Sequence, residues 1–370
     1  MPHIIIFILV LSVLIISHEF GHFIVAKKSG MRVLEFGLGF PPRLFSITRG
    51  GTRYSINLIP FGGFVKIYGE DGMDEEKKDG AEPVQGEKKF TDFSRKTQSA
   101  VIVAGVAMNF IFAWVLFTSG YIIGFPVPVG ENMPYSVTNE RILITGILPD
   151  GPASEAKIQT GSVIKQLTSG NNTLFPKTAN DVSTFISESS DAITLTLTTK
   201  GKEENIIVMP KDGFVSGKRG IGISMDVVGT IKVPVHLAFI EGAKTTWKMS
   251  VATAKGLGNL LYDAVRGKAE LASVSGPIGI YSLLGDVSEL GFIYILTFTA
   301  LLSVTLAVIN IVPFPALDGG RLLFIIIEAI RGKALREDIV TYIHYGGFML
   351  LLLLMVLITY GDLAKLGLFK

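Results

Sequence analysis

The sequence predicts a polytopic α-helical membrane protein with four transmembrane helices, a membrane-dipping β-rich element after the first of them, and one external α+β domain. Three observations carry this expectation. First, 48% of the 370 residues are apolar and only 18% are charged, where a soluble globular chain carries about 25% charged residues. Second, the apolar residues are gathered into four blocks rather than spread along the chain. Third, Lys and Arg concentrate after the first and third blocks. The rest of the composition excludes other classes. With no Cys, a disulfide scaffold, a Cys-ligated zinc site, an iron–sulfur cluster and a thiol nucleophile are ruled out. The chain is too apolar for disorder, and a net charge of +2 leaves no nucleic-acid footprint.

The blocks run from His3 to Ala26, from about Ser99 to Phe125, from Leu290 to Val312 and from Tyr345 to Tyr360. Each approaches or exceeds the ~18–20 residues that cross a bilayer as a helix. The first lacks the basic start and A-x-A-like site of a cleaved signal peptide, so it is expected to remain as a span. Lys27, Lys28, Arg32, Arg43, Arg49 and Arg53 follow it, Arg95 and Lys96 abut the second, and Arg321, Arg331, Lys333 and Arg336 follow the third. The positive-inside rule puts these segments in the cytoplasm. Both termini and the long segment 126–289 are then expected outside. The predicted division is a membrane core over 1–125, an external domain over 126–233, an amphipathic membrane-associated helix with linker over 234–289, and the rest of the membrane core over 290–370.

Residues 31–68 read as turns and short strands, because SINLIPFGGFVKI alternates apolar and polar only in part. Too polar to span, they form the membrane-dipping element. Residues 70–96 mix acids, bases, Gly and Pro, the composition of a solvated loop; Asp71 and Asp74 within it lack the spacing of a calcium-binding loop. In 137–228, RILITGIL, GSVIKQL, AITLTLTT, NIIVMP and GIGISM read as strands punctuated by Gly and Pro, with one short helix over Asn180–Ser187. From 234 to 268 the spacing turns helical. Ile240, Ala243, Trp247, Val251, Ala254, Leu261 and Val265 fall near one face, and Lys244, Lys248 and Lys255 lie elsewhere. Such a helix either lies in the membrane interface or packs on the external domain.

The chemistry is concentrated in His18-Glu19-Phe20-Gly21-His22, an H-E-x-x-H motif that uses two of the five His in the chain. On a helix, residues four apart lie about 40° apart around the axis and about 6 Å along it. Both imidazoles can therefore reach one metal ion, with Glu19 beside His18 as general base. The motif sits in an apolar span, where ionisable groups are costly and functional by default. A hydrolytic zinc site needs a third protein ligand. His3, His236 and His344 lie at span ends or in the external segment and read as ordinary interfacial or surface residues. A carboxylate must then complete the set, and Asp318 stands out within Asn310-Ile-Val-Pro-Phe-Pro-Ala-Leu-Asp318-Gly-Gly320. Pro313 and Pro315 break the helix there, and Gly319 and Gly320 permit close backbone approach. Capping of the helix RLLFIIIEAI is the alternative role for Asp318. Asn310 and Asn109 read from the residues alone as buried amides, equally explicable as helix–helix contacts.

Taken together, HEFGH, FGLGFPPRLF at 36–45, PFGGFVKIYGED at 60–71, GVAMN at 105–109, VSGPIGI at 274–280 and NIVPFPALDGGR at 310–321 resemble the bacterial site-2 protease family, the regulated intramembrane zinc metalloproteases of the RseP and RasP type. GILPDGPASEAKIQTGSVIKQL at 146–167 resembles the PDZ domains of bacterial membrane proteases, which makes the external domain PDZ-like. Gly37-Leu38-Gly39-Phe40 spells the carboxylate-binding loop of ordinary PDZ domains, but it lies before the second span and is read as a decoy. The resemblance covers nearly the whole chain. It implies one Zn²⁺ per chain held by His18, His22 and Asp318, Glu19 as catalytic base, and Asn310 binding the substrate main chain. Two departures stand out: Arg321 occupies the place where many relatives have His, and 126–233 has room for one PDZ domain where some relatives have two.

The expected activity is cleavage of transmembrane segments of single-span membrane proteins, with anti-sigma factors and remnant signal peptides as fitting substrates. The expected location is the bacterial inner membrane, with the zinc site near the cytoplasmic side. The partners are the lipid bilayer, the substrate, and a peptide or substrate domain at the PDZ-like domain; no nucleic acid is expected. A strand edge at 61–68 is expected to take up the unwound substrate, with Gly62, Gly63 and Phe64 at the contact. The rival readings are a metal transporter built on the same ligands and a catalytically silent scaffold.

Overall fold

The computed structural model describes residues 2–70, 88–130, 135–199, 201–215, 218–268 and 274–365; Asp71 and Asp74 fall outside the described residues. The chain divides into two compact units. One comprises Met1–Phe117, Gly242–Leu284 and Phe298–Lys370, the other Thr118–Glu241 and Gly285–Thr297.

Among the described residues, four helices are long and apolar enough to cross a membrane: α1 (Pro2–Lys28), α2 (Arg95–Ile123), α7 (Phe292–Ile311) and α9 (Glu337–Lys365). At most 39% of the most apolar stretch of each is buried within the protein. The remaining surface carries residues such as Ile5, Leu9, Val115, Leu350, Leu353 and Val356, an apolar exterior that suits lipid rather than water. α1 ends because Gly30 takes φ 77°, and Met31 N–H then closes back on Ala26 O at 3.0 Å, the Schellman arrangement that stops a helix. α2 and α9 both begin earlier than their apolar blocks, because the polar residues Arg95–Gln98 and the mixed stretch 337–344 continue the same helices.

Between α1 and α2 the chain does not form the expected turns and short strands. It forms two long strands, β1 (Val33–Arg49) and β2 (Thr52–Ile67), joined at Gly50 and Gly51. The pairs Arg43↔Asn57, Phe45↔Ile56, Ile47↔Tyr54 and Arg49↔Thr52 build the hairpin arm. Residues 35–38 pair on one side with 53–56 and on the other with 63–66, so the end of β2 forms an edge of this sheet. A buried polar kernel fixes the folding-back, because register slips when nothing pins it. The Glu35 carboxylate accepts from Ser55 Oγ at 2.5 Å and from Arg43 Nη2 at 3.0 Å, with Arg53 at 3.7 Å. Asn57 Nδ2 donates to Gly39 O at 3.0 Å. Gly37–Phe40 is spent in this pairing and forms no carboxylate loop. The hairpin leaves Phe40, Leu44, Phe45, Ile47, Leu58 and Ile59 exposed. Its base is anchored by an apolar cluster of Ala26, Met31, Val33, Ile67, Phe90, Val101, Ile102 and Ile325. Phe90, at the end of the stretch read as a solvated loop, is thus a core residue.

In the second unit the expected strands are present. β4 (Val137–Ile147), β5 (Val163–Ser169), β7 (Ile193–Thr199), β8 (Lys202–Val208) and β11 (Ile223–Ile231) lie in one sheet, ordered β3-β11-β4-β5-β7-β8 with β3 at Phe125–Pro128. The alternation of β7 is reflected in its burial: Ile193, Leu195 and Leu197 are fully buried, each second residue facing one core. Val182 and Ile186 cover that core from α4 (Ala179–Glu188). α4 starts with a reciprocal cap in which Asp181 N–H donates to Thr178 Oγ1 and the Asp181 carboxylate accepts from Lys177 and Thr178 N–H. The Lys177 amide, then Thr178, holds the Asp181 carboxyl below the usual carboxylate range.

Residues 234–268 form α5 (Val235–Val265), which leaves Phe239, Ile240, Trp247 and Leu261 exposed. α6 (Pro277–Glu289) follows, and its start accounts for the VSGPIGI segment. Asp362, near the far end of α9 and almost fully buried, accepts from Gly276 N–H at 2.9 Å and from Gly279 N–H at 2.8 Å. A Cβ on either glycine would lie within about 3 Å of that carboxylate. A carboxylate at a helix N-terminus is favourable for charge as well as hydrogen bonding. Replacing Asp362 by Ala is expected to lower stability by about 1–3 kcal/mol for the stranded amides, read as thermal unfolding in detergent. Asp362→Asn, which keeps one acceptor oxygen, should recover much of the loss.

Candidate metal centre

His18 and His22 lie in the last third of α1, one turn apart. Asp318 opens α8 (Asp318–Arg331), beyond the break that ends α7. The break is a turn in which Leu317 N–H donates to Phe314 O at 3.1 Å, with Pro315 at its second position and Ala316 at its third. The two glycines after Asp318 are required by packing. A Cβ at Gly319 would lie 2.3 Å from Val312 O, and one at Gly320 2.2 Å from Phe314 O. LDGG thus presses the start of α8 onto the end of α7, which swings Asp318 to the imidazoles. The capping alternative does not describe its role: Leu317 is the cap residue and the cap has no side-chain hydrogen bond.

His18 Nε2 lies 3.1 Å and His22 Nε2 3.4 Å from Asp318 Oδ2, and the two Nε2 atoms are 3.2 Å apart. Ligands at ~2.0–2.1 Å from a tetrahedral zinc ion are ~3.3–3.4 Å from one another. The three atoms therefore match one face of such a tetrahedron and leave its fourth corner open. Asp318 Oδ2 is buried and has no hydrogen-bond partner among the described residues, as befits an atom whose lone pair is meant for a cation. The side chains are only 13% exposed for each His and 17% for Asp318.

The partners of the outer nitrogens set which atom faces the centre. His22 Nδ1 lies 2.9 Å from Val101 O on α2; a carbonyl only accepts, so Nδ1 carries the proton and Nε2 is free to ligate. His18 Nδ1 lies 3.3 Å from the Asn109 side-chain amide, and the Asn109 oxygen as placed has no partner. Which end of an amide is oxygen is assigned from such networks. Turning this amide puts Oδ1 on His18 Nδ1–H, the tautomer that a metal requires. Asn109 O in turn accepts from Ser303 Oγ at 2.8 Å, tying α2 to α7. The helices reach this distance because Gly21 faces Ala104 and Gly105 faces the imidazoles. A Cβ at Gly21 would lie 2.2 Å from Ala104 O, and one at Gly105 2.2 Å from His22 Nε2. This is what the GVAMN segment does: Gly105 makes room and Asn109 orients.

Beside the cluster is a cavity of about 220 Å³ lined by Glu19, Gly63, Phe64, Glu70 and Arg321 together with His18, His22, Asp318 and neighbouring apolar residues. Gly63 lies against α1, and a Cβ there would be 3.3 Å from Glu19 Cγ. Arg321 Nη1 and Glu70 Oε1 form an ion pair at 2.6 Å. Of the residues named from the sequence, His18, His22, Asp318, Glu19, Gly63 and Phe64 are gathered here. Gly62 turns at φ 122° against the Phe40 ring. Asn310, on the last turn of α7, is half-buried and is not among the cavity's lining residues. Val101 and Glu70 carry no sequence signal of their own. His344 is not the ordinary residue expected: its Nδ1 accepts from Ala316 N–H at 3.0 Å.

The model of peptidase family M50 matches residues 6–354. The chain is 30% identical to the zinc metalloprotease RasP of Oceanobacillus iheyensis, with 99% of this chain and 100% of that protein covered. It is 29% identical to the regulator of sigma-W protease RasP of Bacillus subtilis (97% and 98% covered) and 30% identical to the regulator of sigma-E protease RseP of Salmonella typhimurium (97% and 98% covered). Among solved structures, the PDZ domain of an SdrC-like protein from Listeria innocua is similar at 18% identity and TM-score 0.20, over 23% of this chain and 92% of that chain.

Asn109→Ala is expected to weaken metal affinity about 10- to 100-fold, measured by competition with a chromophoric chelator. Gly105→Ala should weaken it further, since the methyl group occupies the approach of His22.

Proposed function

This chain belongs to peptidase family M50, and from that premise we propose how its own residues do the work of an intramembrane zinc metalloprotease. The observation that carries the reading is the triangle of His18 Nε2, His22 Nε2 and Asp318 Oδ2, with sides of 3.1–3.4 Å. These residues would hold one zinc ion per chain, which supplies a Lewis acid for a peptide carbonyl and for water. Glu19, in the adjoining cavity, takes the proton of the attacking water and returns it to the leaving amine.

A transmembrane substrate hides its carbonyls in its own helix, so it must be unwound before it is cut. We propose that single-span membrane proteins add as a strand to residues 63–67. Two facts support this: 63–66 pair with β1 on one side only among the described residues, and Gly63 and Phe64 line the cavity that holds Glu19. Gly62 supplies the bend that brings that edge to α1. Asn310 is proposed to hold a freed main-chain group of the substrate. The exposed apolar arm of the hairpin is proposed to dip into the bilayer.

The proposed orientation has both ends of the chain and 126–289 outside, with the zinc site near the cytoplasmic side. It is supported by Lys27 and Lys28 at the end of α1. It is also supported by the Phe7 ring against Tyr281 at 5.5 Å and by Asp362 on Gly276, which gather the start of α1, α6 and the end of α9 on one side. The domain over 126–233 is proposed to be PDZ-like and to exclude substrates that keep bulky external parts, with anti-sigma factors and remnant signal peptides as fitting substrates.

Purified protein is expected to contain one zinc per chain, and Asp318→Ala to contain much less. Glu19→Gln should keep its zinc while cleavage of a model transmembrane substrate falls by at least ~10²; a variant that still cuts removes Glu19 as the base. Proline placed in turn across 63–67 should lower kcat/KM with zinc content unchanged. Normal turnover in the whole series would remove the strand edge.

A further inference from the structure

We propose that His344, on α9, is a positioning residue for the metal centre: it holds the turn that aims Asp318. The proposal rests on the reading of His18, His22 and Asp318 as a zinc site.

The turn Phe314-Pro315-Ala316-Leu317 has a hydrogen bond from its fourth residue to its first, proline at its second place and φ 77° at its third. These are the features of a type II turn, whose third position favours glycine. Here that position is alanine, so the conformation is not the one the residue prefers. Of the two central residues Pro315 has no N–H, and the N–H of Ala316 points out of the turn. At this depth a peptide donor needs an acceptor. His344 Nδ1 provides it at 3.0 Å. The imidazole ring also lies edge-on to Phe324 of α8 at 5.2 Å, so it touches both the turn and the helix that Asp318 begins. One helical turn further along α9, Gly347 lies so close to the loop that a Cβ would be 2.6 Å from Pro315 O. Within residues 341–350 only Gly347 is buried. The face of α9 formed by His344 and Gly347 is thus fitted to this turn. Leu317 alone separates Ala316 from Asp318, and its carbonyl accepts from Gly320 and Arg321 N–H in the first turn of α8. A change in Ala316 therefore rotates the first residue of α8, which is the ligand.

The test uses the full-length protein in detergent and zinc affinity by chelator competition. His344→Leu, which fills the space without an acceptor, should weaken zinc binding about tenfold or more. His344→Asn, whose Oδ1 falls near the place of Nδ1, should stay within about threefold of wild type. Ala316→Gly in the His344→Leu background should restore most of the loss, because glycine adopts this φ without help; a packing role for His344 predicts no such rescue. Wild-type affinity in His344→Leu, or a double variant no better than His344→Leu, overturns the proposal. If His344→Leu does not fold, the wild type still decides it. In ¹⁵N-histidine spectra His344 should be the Nε2–H tautomer with Nδ1 accepting, and an Nδ1–H tautomer overturns it. Failure of the wild type to bind zinc would instead overturn the metal site itself.

Discussion

The crossing of α1 and α2 at Gly21 and Gly105 is the contact on which the rest of the centre depends. It has no side chain of its own on either helix, and that is its function. With α2 drawn so close, Val101 O and the Asn109 amide reach the outer nitrogens of the two imidazoles, and each ring is turned inward. A larger residue at either glycine would separate the helices by more than a hydrogen bond can stretch. Small residues at such a crossing are the usual means of close packing in membranes, where apolar attraction between helices is absent. Here the same device also creates the space that the His18 and His22 imidazoles fill.

The second constraint is the handling of irregular backbone. Non-helical peptide groups at membrane depth must be paired within the protein, and the chain does so at two places around the centre. The hairpin between α1 and α2 pairs β1 with β2 around Glu35 and leaves 63–66 paired on one side only among the described residues. The break between α7 and α8 satisfies its own peptide groups through the turn at 314–317 and His344. Both irregular segments point at the cavity, one with Gly63 and Phe64 and the other with Asp318.

Much of this was legible in the sequence because its signals are local. A helix fixes the relation of His18, Glu19 and His22 by spacing alone, and alternation in ITLTLTT announces a strand with one buried face. Asp318 was reachable by elimination, since no Cys is present and zinc needs a third ligand. What was not legible depends on partners far along the chain. SINLIPFGGFVKI alternates only in part, and its two ends lie on opposite sides of the same stretch of β1, so its strand character is hidden. His344 has no motif around it; its importance lies in a backbone N–H 28 residues away. Asp362 is equally silent, as its partners are the amides of two glycines. Gly105 and Asn109 were recognisable as a segment, but not what either one touches.

The attachment of α9 has a consequence for the order in which the protein is made. Ribosomes deliver α1, α2, α7 and α8 before α9, so His18, Glu19, His22 and Asp318 are synthesised before His344, the acceptor for Ala316 N–H. The turn that aims Asp318 gains its external support only when residue 344 has been translated and α9 has entered the bilayer beside it. A chain still being synthesised therefore holds the His18, His22 and Asp318 side chains before it holds the α9 residue that contacts the adjoining turn.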